Sequence, residues 1–175
     1  MQKLTILNAK KRASVLRMIE HQWDCSPDFS PWALLEKDGR LFLANQELFS
    51  FPAFESLHIN SLGTYFGTLT PDGLRLSIEG SQIVGPLAKK NVIELSESDQ
   101  KRWLSGENLD LGCKETGYVI LKSSKRVHDS NGKRSKERKG DNTLFPEKVH
   151  DFLGTGKASR GIVHNYVPKE RRTGT

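Results

Sequence analysis

Eight residues close to the C-terminus have the types and spacing to hold an acidic polymer. Lys157, Arg160, His164, Asn165, Tyr166, Lys169, Arg171 and Arg172 fall within sixteen positions. Cations neutralise phosphates, a tyrosine ring stacks on a base, and His or Asn can hydrogen-bond base edges, which together is the chemistry of RNA recognition. Lys122, closing the apolar run Gly117-Tyr118-Val119-Ile120-Leu121-Lys122, is a further candidate contact. The bland alternative is a solvated basic tail with Tyr166 and Val167 packed into the body. For any one residue that alternative stands level, because surface Lys and Arg are common; the grouping favours RNA.

Catalytic constellations are harder to assemble. Gly154-Thr155-Gly156-Lys157-Ala158-Ser159 imitates a phosphate-binding P-loop, but Asp151 occupies the place of its first glycine and Ala158 that of its Ser or Thr. Glycines here suit close backbone approach in a curved sheet. The histidines (His21, His58, His128, His150 and His164) show neither HExxH nor HxH spacing. No GxGxxG follows a strand, so a dinucleotide cofactor is not indicated. Cys25 and Cys113 stand alone, which suits free thiols rather than a disulfide or zinc framework. The expectation is a non-catalytic protein without cofactor or metal.

Charge identifies the same partner. Eight of the 27 basic residues lie between Lys122 and Lys139, with two of the 21 acids, so the remainder balances at 19 of each. The whole net charge of +6 therefore belongs to one hydrophilic segment. Such a segment raises encounter rate and non-specific affinity for an acidic partner, RNA foremost. No apolar run approaches the ~18 residues of a membrane span, and the first residues lack a secretory pattern. A cytoplasmic protein is expected, nuclear or nucleolar in a eukaryote.

The elements that must position these residues follow from periodicity. Asn8 is placed to cap a helix reaching about Trp23, with Val15, Ile19 and Trp23 on one face. Lys37-Asp38-Gly39 joins two strands as a hairpin. A short helical or irregular segment spans residues 46–54, and strands are expected at 57–59 and 62–69. Thr70-Pro71-Asp72-Gly73 is a turn. Leu74, Leu76 and Ile78 alternate with polar residues as a half-buried strand, and a short helix is expected at 81–88. Lys89-Lys90-Asn91 is the expected domain boundary. Beyond it come a strand at 92–95, a capping box at Ser96-Glu97-Ser98-Asp99, and a short helix burying Trp103 and Leu104. A loop then leads to two strands, 117–122 and 152–157, separated by the basic insertion at about 123–150. Closing a loop of that length costs only about 1.8 kcal/mol more than a tight turn, so the flanking strands can still pair.

These residues resemble a known family. Ser61-Leu62-Gly63-Thr64-Tyr65-Phe66-Gly67, the 74–78 strand and the Leu87-Ala88-Lys89 exit are similar to the first domain of the Nip-seven family of ribosome-biogenesis proteins. Trp103-Leu104-Ser105-Gly106-Glu107-Asn108-Leu109, the 117–121 strand and Leu153-Gly154-Thr155-Gly156-Lys157 look like the RNA-binding PUA domain that follows it. The closing His164-Asn165-Tyr166-Val167-Pro168-Lys169-Glu170-Arg171-Arg172 also resembles the end of the PUA-like domain of rRNA 5-methylcytosine methyltransferases. The resemblance implies an α/β (α+β) N-terminal domain with an antiparallel sheet and helices over residues 1–90. A PUA-like β pseudo-barrel follows over 91–175, with the basic loop insertion at about 123–150. It further implies a monomer that binds single-stranded rRNA or pre-rRNA in large-subunit maturation, with RNA contacts in the 157–172 stretch. The charge-balanced first domain would then meet pre-ribosomal proteins through an apolar patch. Two alternatives remain: an RNA-specificity subunit acting in trans with an rRNA- or tRNA-modifying methyltransferase, and a protein scaffold whose basic segment is a targeting signal.

Overall fold

A computed structural model describes residues 4–50, 63–126 and 148–173, with backbone alone at 124–126 and 148–150. The described residues form two five-stranded sheets with three α-helices, a mixed α/β architecture. The strand expected at 57–59 and the centre of the basic insertion lie outside the described residues.

The first sheet is an antiparallel meander of β1 (Thr5–Ile6), β2 (Trp32–Lys37), β3 (Arg40–Asn45), β4 (Thr64–Thr70) and β5 (Gly73–Leu76). Asp38 and Gly39 both take positive φ, 52° and 74°, so the β2–β3 hairpin turns with the hand that matches strand twist. Pro71 and Asp72 close β4 onto β5, pairing Thr70 with Gly73. Helix α1 (Ala9–Trp23) starts where Asn8 Oδ1 accepts the Lys11 N–H at 2.9 Å, and it ends at Asp24 in the left-handed region. Its buried residues are Val15, Ile19 and Trp23, the face the periodicity marks. Arg12 ties the helix to the sheet by donating to the carbonyls of Phe29 and Trp32.

One boundary differs from the sequence reading. Ile78 does not end a strand; it opens helix α2 (Ile78–Val84), because Ser77 Oγ caps it by accepting the Gly80 N–H at 2.9 Å. Pro86 then allows only a 3-10 turn, Gly85–Leu87.

The second sheet contains β6 (Val92–Leu95), β7 (Leu109–Asp110), β8 (Gly117–Arg126), β9 (Lys148–Ser159) and β10 (Ile162–His164), in the order β6-β8-β9-β10-β7. β6 runs parallel to β8, and the remaining pairs are antiparallel. Helix α3 (Glu97–Ser105) is capped by Ser96, whose hydroxyl accepts the Asp99 N–H and donates to the Asp99 carboxylate at 2.6 Å. Strands β8 and β9 do pair, and their ladder continues outward to Arg126 and Lys148.

The second sheet curls around Trp103, whose indole N–H donates to the Leu153 carbonyl at 2.9 Å. Leu95, Leu109, Val119, Leu121, Ala158, Val163 and Val167 complete this core. The curl requires Gly156: a Cβ there would meet the Trp103 ring at 2.9 Å and collide with Val163. The glycine pair thus serves close approach, as the failed P-loop match suggested. On the opposite face of the same strands, Tyr118, Ile120 and Phe152 enter the core built by α1, α2 and the first sheet.

Polar bonds stitch this seam. Buried Ser81 Oγ accepts the Gly154 N–H at 3.0 Å, and Thr155 Oγ1 donates to the Leu76 carbonyl at 2.8 Å. Gln82 donates to the Phe152 carbonyl at 2.7 Å. At the 89–91 connection, Asn91 donates to the Gln22 carbonyl at 2.6 Å and Lys89 N–H to the Trp23 carbonyl at 2.9 Å. The expected boundary segment is therefore fastened to the end of α1.

Candidate nucleic-acid interface

Strand register decides which candidate contacts share a face. In an antiparallel ladder, residues directly opposite project to the same side. Tyr118 pairs with Lys157, and Lys157 with His164, so these three form one transverse row across β8, β9 and β10. The flanking Ala158 and Val163 point the other way, into the Trp103 core. Tyr166 extends the row: its ring meets Tyr118 edge-on at 6.4 Å, and the Arg75 guanidinium lies 4.5 Å from its centroid. Tyr166 is 40% exposed, more than enough for a base to reach it.

Lys157 donates to Asp72 in the β4–β5 turn at 2.6 Å, and that bond raises its pKa. The pair joins the row to the first sheet while leaving the ammonium partly open to solvent. Arg160 and Gly161 form the β9–β10 turn with φ of 51° and 82°, so Arg160 projects from the hairpin tip. Lys169 is exposed on a 3-10 turn, Lys169–Arg171. Neither makes a side-chain hydrogen bond or ion pair with another described residue.

Other candidates are occupied by structural work. Lys122 lies farther along β8 and pairs with Glu94 at 3.4 Å. Asn165 donates to the carbonyls of Trp103 at 2.7 Å and Glu107 at 3.0 Å, and its Oδ1 accepts the Val167 N–H. That amide clamps the tail onto the end of α3. Arg172 donates to the Val167 carbonyl at 3.1 Å and packs over Gly106. Arg171 clasps Glu79 at 2.7 Å. Burial would raise the Glu79 pKa, but hydrogen bonds from its own backbone N–H, Arg171 and Ser77 outweigh that and lower it.

Beside the row, a cleft of about 350 Å³ opens between the sheets, bordered by Arg40, Tyr65, Arg75, Glu79, Tyr166 and Arg171 among others. Arg40 and Arg75 belong to the half that the sequence reading kept for protein contacts. Neither guanidinium donates to another described residue, although that of Arg75 lies over the Tyr166 ring. On the sequence, Arg75 shows only as a polar position on an alternating strand; its meeting with Tyr166 is a product of tertiary packing.

The thiols are not set up as nucleophiles. Burial, then neighbouring carboxylates, push Cys25 and Cys113 up, away from the reactive thiolate. Among the described residues no cluster of His, Cys, Asp and Glu could hold a metal, and no helix is long and apolar enough to cross a membrane. No protein-family model matches the chain, and no curated protein sequence is significantly similar to it. The resemblance to the Nip-seven and PUA modules therefore rests on the quoted motifs.

Proposed function

We propose that this protein is a non-catalytic, single-strand RNA-binding protein of rRNA maturation in the large ribosomal subunit. In this reading residues 91–175 form a PUA-like pseudo-barrel and residues 1–90 its N-terminal companion. The observation that carries it is the Lys157–His164 row continued by Tyr166 and Arg75, a cationic strip with one exposed ring at the margin where the second sheet meets the first, with Tyr118 buried beneath it. The exposed Tyr166 ring offers stacking worth ~1–3 kcal/mol for one base, and the cations offer phosphate neutralisation. Arg160 and Lys169 flank the strip with uncommitted charge, and the basic insertion gathers RNA towards it. Ile83 on α2 and Leu87 on the 3-10 turn that follows it, 38% and 49% exposed, supply apolar surface on the first half for a pre-ribosomal protein.

The test is a titration of a uridine-rich oligonucleotide at several salt concentrations. Each phosphate contact contributes about −0.7 to the log–log slope. Lys157→Ala with Lys169→Ala should weaken binding and flatten that slope by about 1.4. These positions are better probes than Arg171 or Arg172, whose loss would also release the tail. Affinity independent of salt, or untouched by the double substitution, would overturn the reading.

A further inference from the structure

The inter-sheet cleft has a role beyond bordering the strip. We propose that it seats one nucleotide of the bound RNA strand, with the phosphate held by Arg40 and Arg75 and the base or ribose against Tyr65. This rests on the RNA-binding reading above and extends the RNA path from the tail onto the first sheet.

The volume of about 350 Å³ falls at the lower end of the range for small-ligand sites. Its base is rigid: Leu76 and Gly154 line it, and the Thr155–Leu76 and Ser81–Gly154 hydrogen bonds hold those segments together. A ligand entering it would therefore incur little ordering cost. The Arg75 guanidinium lies 4.5 Å from the Tyr166 ring centroid, and its N–H donors make no hydrogen bond or ion pair with another described residue. Arg40, from the β2–β3 hairpin, adds a second fork with unspent donors. Two such guanidinium groups bordering one concavity match the bidentate geometry that phosphate accepts.

Only one acid at the cleft opposes a phosphate. Glu79 is already clasped by Arg171, leaving Glu170 as the carboxylate at the cleft without an ion-pair partner among the described residues. Tyr166 borders both cleft and strip, so a strand stacked on the strip can enter the cleft without a break.

Fluorescence anisotropy with a labelled uridine-rich oligonucleotide decides the matter, with thermal melts to confirm folding. Arg40→Ala combined with Arg75→Ala should weaken binding about tenfold or more and remove about 0.7 from the salt slope, the share of the one phosphate they hold. Arg75→Lys should give an intermediate loss, since it keeps the charge without the fork. Glu170→Gln should tighten binding, and it serves as the deciding variant if the double substitution does not fold. Wild-type affinity in the double variant, alongside weakened binding in Lys157→Ala, would refute the cleft while leaving the RNA reading intact. Uridine monophosphate binding as tightly as the oligonucleotide would also refute it, making the cleft a free-nucleotide pocket. Failure of the wild-type protein to bind the oligonucleotide at all would remove the RNA reading, and this inference with it.

Discussion

Replacing Ser81 with Ala should loosen the seam on which the cleft depends. Ser81 is fully buried, and its Oγ accepts the Gly154 N–H at 3.0 Å while donating to the Ile78 carbonyl. Without the hydroxyl, the Gly154 N–H is left buried and unpaired, which costs about 1–3 kcal/mol. In a chain of this size each kcal/mol moves Tm by about 2–4 °C, so a fall of about 2–12 °C is expected. The assay is urea denaturation followed by far-UV circular dichroism and by tryptophan fluorescence, in a background with Trp23→Phe and Trp32→Phe so that Trp103 alone emits. Trp103 reports the second core, whereas α1 dominates the helical signal of the first half. Because Tyr118, Ile120 and Phe152 of the second sheet sit in the first core, both probes should trace one transition, shifted in midpoint with m unchanged. An unshifted midpoint would show that the Ser81 bond contributes nothing. Separate transitions would show that the halves are not cooperatively joined, and the reasoning would fail at that step.

Three further outcomes follow from the same geometry. Gly156→Ala should destabilise by about 1–3 kcal/mol through overpacking against Trp103 and Val163, read as a lower Tm; an unchanged Tm would contradict the close approach. The Glu79–Arg171 clasp lowers the Glu79 pKa in the folded state, so its contribution is complete above the ordinary Glu value of about 4.3 and is lost as pH falls through the lower folded value. Glu79→Gln should therefore weaken the protein at neutral pH and flatten the acid limb of its stability profile. Changing Lys133, Arg134, Lys136, Arg138 and Lys139 to Gln removes five of the chain's cations. Stopped-flow association with RNA should slow at low salt while the dissociation rate stays nearly constant; the reverse pattern would place ordered contacts in the insertion.

Local signals explain what was legible in the sequence. The α1 face was visible because Val15, Ile19 and Trp23 repeat at helical spacing after an Asn that can cap. The hairpins were visible through Asp38-Gly39 and Pro71-Asp72-Gly73. The start of α2 was hidden because Ile78 continues the Leu74–Leu76 alternation, while the Ser77 cap acts on the backbone alone. The β7 strand was read as loop, since its partner β10 comes more than fifty residues later and two residues carry no period.

At the site, residue chemistry brought out Lys157, His164 and Tyr166, and register then placed Lys157 and His164 in one row. The same chemistry could not tell Asn165 or Arg172, which are engaged with backbone carbonyls, from groups facing solvent. Arg40 and Arg75 were not among the candidates because strand order and tail docking bring them to the cleft, and neither leaves a mark in local sequence.

Photo-crosslinking of the intact protein to a thiouridine-bearing oligonucleotide, with the attached peptides mapped by mass spectrometry, tests the central claim most directly. Crosslinks should fall on Tyr166 and on the β4–β5 segment carrying Tyr65 and Arg75. Crosslinks confined to α1, or to the insertion with none on the strip or cleft, would contradict the account.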